Sequence, residues 1–395
     1  MEQAQTTEHH HNKNWYDKSY RWLLIISAAF LLISLVYLYN FNSTQGDVIY
    51  KDVSLTGGTT ISVFDKNADI TKLGDTLRIE FPDLLIRGIS NIRTGGQEGF
   101  ILETKAEVND TQTALENYLG YSLTKDNSSI EFTGATLSQG FYQQLISAII
   151  AAFLLMSWVV FLIFSHDKKI KAITTMLVFL GVAIVLSQVS TIKMLSVFAI
   201  FVSIIYGLIV CRNTNKEKRN KDYLILLGVF IVSLLVFYLY PQMMLLWLIW
   251  AALIGIFIYY SIPSFAVILS AFADIVMTLA VVDFVGMSLS IAGVIAFLML
   301  IGYSVDTDIL LTSRLLKDKE GNVNHRLFGA FKTGITMTLT AIAAVGVSLA
   351  IIYGFSPTLK QIFTIILIGL LFDIMNTWIT NASMLKWYMG VKKLE

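Results

Sequence analysis

Proline and cysteine are nearly missing: the chain holds four and one of them in 395 residues. The lone thiol, Cys211, closes no internal bridge, which excludes a disulfide-built extracellular scaffold, and the shortage of proline excludes collagenous or proline-rich disordered chains. Charge is scarce as well. Asp, Glu, Lys and Arg make up 14% of the residues, against roughly 25% in soluble domains, and 55% of the residues are apolar, so a wholly soluble enzyme is excluded. The five histidines, at positions 9, 10, 11, 166 and 325, lie outside the apolar runs and leave no imidazole for a zinc site inside a membrane. A formal net charge of +1 without a dense basic face excludes a nucleic-acid partner.

What remains is a chain built to sit in lipid. A bilayer core of roughly 30 Å takes roughly 17 to 25 apolar residues per helix, and counting on that basis predicts ten spans: 22–41, 145–164, 172–188, 194–211, 223–240, 243–260, 265–285, 288–311, 328–353 and 362–385. The first is too long for a signal-peptide core and is read as retained. Lysine and arginine gather at 13–21, 168–171, 212–221, 314–326 and 392–393, on alternate sides of this ladder. The positive-inside rule puts all of them in the cytoplasm with both termini. Residues 42–140, which are polar and follow an odd-numbered span, then fall outside the cell membrane.

Within that segment, residues 59–64 alternate with Ile61 and Val63 on one face, and Ile70, Leu73 and Leu77 recur at helical spacing behind Asp69 as an N-cap. Strand signals at 84–92 and 99–104 flank Thr94-Gly95-Gly96-Gln97, a hairpin turn. Asp110 is placed as the cap of a second helix through Leu119, and 129–132 is a last strand. The order β-α-β-β-α-β predicts a ferredoxin-like α+β domain. Gly57 and Gly58 just before the first strand serve either a tight turn with positive φ or a hinge to the first span.

A carboxylate at the bilayer centre costs roughly 2.5 to 3.5 kcal/mol on insertion scales, so an acid inside a span is a functional candidate. There are four: Asp274, Asp306, Asp308 and Asp373. They suit reversible protonation. Asp306 and Asp308, two apart with Gly302 and Ser304 alongside, face different neighbours on a helix, so that one can titrate while the other pairs. Each also has a plainer reading: Asp274 as an interhelical hydrogen-bonding group, Asp373 with Asn376 as polar glue, Arg314 as a topology-setting charge rather than a partner, and Lys332 as a snorkelling side chain rather than a pocket residue. Ala341, Ala343, Ala344 and Gly346 are expected to admit a close helix neighbour.

The run from Ile262 and Pro263 to Asp274 and Val276, the run from Gly302 through Asp306 and Asp308 to Arg314, the stretch from Lys332 to Thr338, and the stretch from Gly369 through Asp373 and Asn376 to Trp378 together resemble the SecF family of the SecD–SecF protein-export complex. The archaeal branch is the nearest in pattern, within the wider RND group of proton-driven permeases. Leu55-Thr56-Gly57-Gly58-Thr59 looks like the family's motif after the first span, with Ser54 where the family has an acid and Asp52 nearby. The family has six spans. Here residues 165–260 read as four inserted helices, an even number that preserves the orientation downstream. Either 158–164 or 254–260 packs as the family's second span.

The resemblance implies a cytoplasmic tail (1–21), a first helix (22–41), the external domain (42–140), a second helix (141–164), the insert (165–260), an RND-like bundle (261–388) and a cytoplasmic tail (389–395). It also implies SecD and a SecY-type channel as partners, exported polypeptides as cargo, no cofactor and no enzymatic activity. The driving force would be the proton gradient, with sodium as the other candidate ion. Asp306 would lead as the proton-sensitive residue, Asp308, Asp274 and Asp373 would relay, and Arg314 would pair; a non-conducting scaffold for SecD and the channel is the alternative. An intramembrane aspartyl protease is disfavoured because its GxGD motif is absent, and a small-molecule exporter because it needs a longer chain.

Overall fold

The computed structural model describes residues 15–91, 94–187, 242–318, 322–353 and 356–392. The expected spans 194–211 and 223–240, Cys211, the loop 212–222 and the histidines at 9–11 lie outside the described residues. The other eight expected spans are helices. They are α1 (Trp15–Gln45), α5 (Ala135–Phe164), α6 (Lys168–Ser187), α7 (Gln242–Tyr260), α8 (Ile262–Phe284), α9 (Ile291–Lys317), α10 (Val323–Ile352), and α11 (Pro357–Met375), which continues through a π-helical segment (Asn376–Asn381) into α12 (Ala382–Lys392). Among the described residues seven of these stretches are long and apolar enough to cross a membrane, with α7 a shorter eighth. The protein is polytopic and helical.

Polar caps set where the bundle helices start. Ser261, Ser290, Asn322 and Ser356 stand before α8, α9, α10 and α11, and each side chain accepts from an N–H of the first turn. Pro263 and Pro357 occupy the first turns of α8 and α11, where a missing N–H costs nothing. α5 packs on α8 and α9, and α7 packs on α6 and α8. Close approach rests on single glycines: a Cβ on Gly334 would lie 2.4 Å from the Trp378 ring, and one on Gly369 would lie 2.4 Å from Leu300. The small residues expected to serve that purpose have no such neighbour among the described residues. Ala343 and Ala344 are exposed and Gly346 meets nothing within 4 Å.

Between α1 and α5 lies the α+β domain. After a short helix α2 (Val53–Thr56) it runs β1 (Gly58–Val63), α3 (Ile70–Leu77), β2 (Leu85–Ser90), β3 (Gln97–Thr104), α4 (Val108–Leu119) and β4 (Ser128–Thr133). All pairings are antiparallel in the order β2-β3-β1-β4, the ferredoxin-like arrangement. Ile61 pairs with Leu102 and Ile130, and Val63 with Phe100; these inward faces close on Leu73 and Leu115 in an apolar core. Asp69 caps α3 as expected, accepting from the Lys72 N–H at 3.2 Å. The second helix differs from expectation. It starts at Val108 with Glu107 before it, so Asp110 falls inside the first turn, where a carboxylate still favours the positive end of the helix dipole.

The domain is fastened to one end of the bundle. The Leu289 N–H donates to the Tyr50 carbonyl at 2.5 Å, the Asp52 N–H donates to the Leu289 carbonyl at 3.1 Å, and Arg87 of β2 donates to Ser288 Oγ at 2.9 Å. Gly57 and Gly58 lie where the chain passes between α5 and β3, with φ of +85° and +136°. A Cβ would sit 2.5 Å from Ala135 Cα and 2.3 Å from the Thr104 carbonyl oxygen, so the pair forms a filled crossing.

Gly58→Ala should therefore destabilise the protein, by about 1–3 kcal/mol from backbone strain alone, read as a lowered midpoint in thermal unfolding of the detergent-solubilised chain. Burial raises the Asp52 and Glu103 carboxyls despite the nearby Arg87 guanidinium. Raised acids favour the folded state at low pH, and that contribution is lost as pH rises through their folded values. Proteolytic nicking of the 46–57 stretch should accordingly increase as pH rises above the ordinary carboxylate range.

Candidate functional site

Three of the four expected acids meet inside the bundle. Asp274 on α8, Asp308 on α9 and Asp373 on α11 are each fully buried, and each is held by neutral donors. Asp274 accepts from Ser304 Oγ at 2.5 Å on one oxygen and from the Asn376 amide at 2.7 Å on the other. Asp308 accepts from the Asn381 amide at 2.8 Å. Asp373 accepts from Thr307 Oγ1 at 3.3 Å and Thr377 Oγ1 at 3.2 Å. From α1, Ser27 adds a second layer, donating to Asn376 Oδ1 at 3.3 Å and bonding Thr380. Among the described residues no Lys, Arg or His forms an ion pair with any of the three, and none of their groupings is arranged to hold a metal ion. Carboxyls gathered among hydroxyls and amides suit taking up and giving back protons.

The remaining expected residues are not brought in. Asp306 and Gly302, four apart, share the exposed face of α9, while Ser304 and Asp308 share the buried one. The residue expected to lead thus stands apart from the carboxyl group. Arg314 is exposed nearer the end of α9, and Lys332 is exposed on α10. Gly57 and Gly58 belong to the α+β junction.

Four participants were not singled out from sequence: Ser27, Thr380, Asn381 and the donor role of Thr307. The signal was available in part. Asn376, Thr377, Thr380 and Asn381 form a run of polar side chains in an otherwise apolar span, and such residues inside a membrane pair with one another or with acids. Asn376→Leu should leave one Asp274 oxygen without its donor and destabilise the protein by about 1–3 kcal/mol, measurable by thermal unfolding in detergent, whereas Thr336→Ala, on the exposed face of α10, should change the midpoint little.

Residues 238–391 match the family described as protein export membrane protein SecD/SecF, C-terminal. That match opens inside the segment expected as an insert and takes in α7. A protein-export membrane protein SecF from Methanolacinia petrolearia is 52% identical over 129 residues, covering 32% of this chain and 45% of that protein. One from Methanothermobacter thermautotrophicus is 46% identical over 134 residues, covering 33% and 47%. This chain therefore spans about half the length of these two relatives. The SecF of Methanocaldococcus jannaschii is 28% identical over 381 residues, covering 94% of this chain and 96% of its own. An alignment of that extent runs through most of residues 165–260, so the expected insert has counterparts there. In fold, the chain is similar to the crystal structure of SecDF, a translocon-associated membrane protein from Thermus thermophilus, with a TM-score of 0.51 at 12% identity over 94% of this chain and 38% of that one. At that identity the likeness is one of fold alone. Matched through its bundle and aligned nearly end to end with an archaeal relative, the chain is similar to the SecD/SecF protein-export membrane proteins.

Proposed function

We propose that the chain acts as a SecF subunit, working with SecD at a SecY-type channel and drawing on the proton gradient to help exported polypeptides across the membrane. The observation that carries this reading is the meeting of Asp274, Asp308 and Asp373 from three helices, with hydrogen bonds to them from neutral donors only. One charge moved across 100 mV is worth roughly 2.3 kcal/mol, enough to bias a helix bundle between two packings. Orientation follows from charge. Lys168, Lys171, Arg314, Lys317 and Arg326 stand at helix ends opposite those joined to the α+β domain, which supports cytoplasmic termini and an external domain.

The exposed side of α9 and α10 supports SecD as a covering partner. Asp306, Tyr303, Thr336 and Thr340 are polar side chains at membrane depth beside an open groove of about 440 Å³ that Ala341 and Ala344 also line. A carboxylate facing lipid is disfavoured, and a neighbouring helix removes it from lipid.

Export of a signal-bearing reporter, measured in cells whose only copy is altered, tests both parts. Asp274→Asn, Asp308→Asn and Asp373→Asn should each slow export at least tenfold while SecD still co-purifies, and Asp306→Asn should reduce SecD co-purification. Wild-type export in all three buried variants would overturn the proton-driven reading in favour of a non-conducting scaffold.

A further inference from the structure

The first N–H groups of a helix have no partner within it. At α9 two are satisfied by side chains: the Gly293 N–H donates to Ser290 Oγ at 3.2 Å, and the Ile291 N–H donates to Ser54 Oγ at 3.2 Å. Ser54 comes from the stretch that leads into the α+β domain. Its own hydroxyl proton goes to Asp52 Oδ1 at 2.5 Å, and its backbone N–H donates to the same oxygen at 2.8 Å. A carboxylate is thereby presented, through one hydroxyl, to the positive end of a helix of 27 residues. The family resemblance has an acid at position 54, where this chain has serine with Asp52 nearby.

Neither side of this contact is loose. Leu55 packs with Leu289, Val294 and Phe297 in a buried apolar cluster, and Asp52 is pinned by the backbone bond to Leu289. Arg87, which donates to Ser288, is also paired with Glu103 at 3.5 Å, so the sheet itself reaches the loop before α9. From the bundle side Gln361 of α11 bonds the Ser288 carbonyl and the Ser290 side chain, and accepts from the Ser290 N–H at 3.3 Å. Gly57 and Gly58, wedged between α5 and β3, remove slack between Ser54 and the sheet.

We infer that Ser54, backed by Asp52, is a positioning residue that caps α9 from the linker of the α+β domain and so ties displacement of that domain to the helix carrying Asp308. Ile291 and Asp308 are 17 residues apart, about 25 Å along a continuous helix, a length over which a rigid rod passes on an axial shift. The tie stands whether or not the carboxyls carry protons.

The test uses the full chain purified in lipid nanodiscs, with deuterium exchange read on peptides spanning 291–296 and dicyclohexylcarbodiimide labelling read at Asp308. Losing a cap of typical strength should speed exchange in the first turn of α9 about fivefold in Ser54→Ala. Labelling of Asp308 should change at least twofold in the same variant, and Ser54→Asp, which presents a carboxylate directly, should return both readouts toward wild type. Thr44→Ala, whose hydroxyl bonds only its own helix, serves as the control. Unchanged exchange in Ser54→Ala would overturn the cap. Faster exchange with unaltered labelling at Asp308 would confine the contact to a local role and overturn the tie. Because neither readout involves export, a failure here is distinguishable from a failure of the proton-driven reading.

Discussion

Burying three carboxyl groups in an apolar bundle is possible only where hydrogen-bond donors converge on them, and that requirement organises the bundle. An unsatisfied polar group in hydrocarbon costs several kcal/mol, so every helix that approaches the group brings a hydroxyl or an amide: Ser304 and Thr307 from α9, Asn376, Thr377 and Asn381 from the π segment, and Ser27 at one remove from α1. These donors dictate which faces of the helices turn inward. The glycines at 334 and 369 then let α10 and α11 close over them. Packing and polarity are served by neighbouring residues on the same helices.

How much of this was legible in advance differs by element. The α+β domain follows directly from period-2 alternation at Ile61 and Val63, from the Asp69 cap and from the glycine-bearing hairpin, because each is a local signal. The spans are legible from length alone. The carboxyls were visible as charges in apolar runs, but spacing by itself did not separate Asp308 from Asp306. The distinction lies in a longer stripe: Leu300, Ser304, Asp308, Leu311 and Leu315 repeat at intervals of three and four and are all buried, whereas Gly302 and Asp306 fall off that stripe. Extending the helical period from the leucines back to the acids selects Asp308. The contact between Ser54 and Ile291 was beyond reach, since residues so far apart in sequence share no periodic signature.

The junction between the domain and the bundle is largely polar. Arg87, Glu103, Asp52, Ser54, Ser288, Ser290 and Gln361 form it, with the apolar cluster around Leu55 and Leu289 beneath. Hydrogen bonds fix direction as well as proximity, so such a surface specifies one seating of the domain where a purely apolar one tolerates several.

The π segment between α11 and α12 has a further geometric consequence. Asn376 and Asn381 are five residues apart, which on an α-helix would separate them by about 140° around the axis. Bonding from i to i+5 widens the turn and brings positions five apart nearly into line. Only so can one strand of chain offer an amide to Asp274 on α8 and another to Asp308 on α9. The extra residue is absorbed by the wider turn: were the same six residues wound as an ordinary α-helix, Asn381 and everything beyond it, α12 included, would arrive rotated out of register with the helix before it.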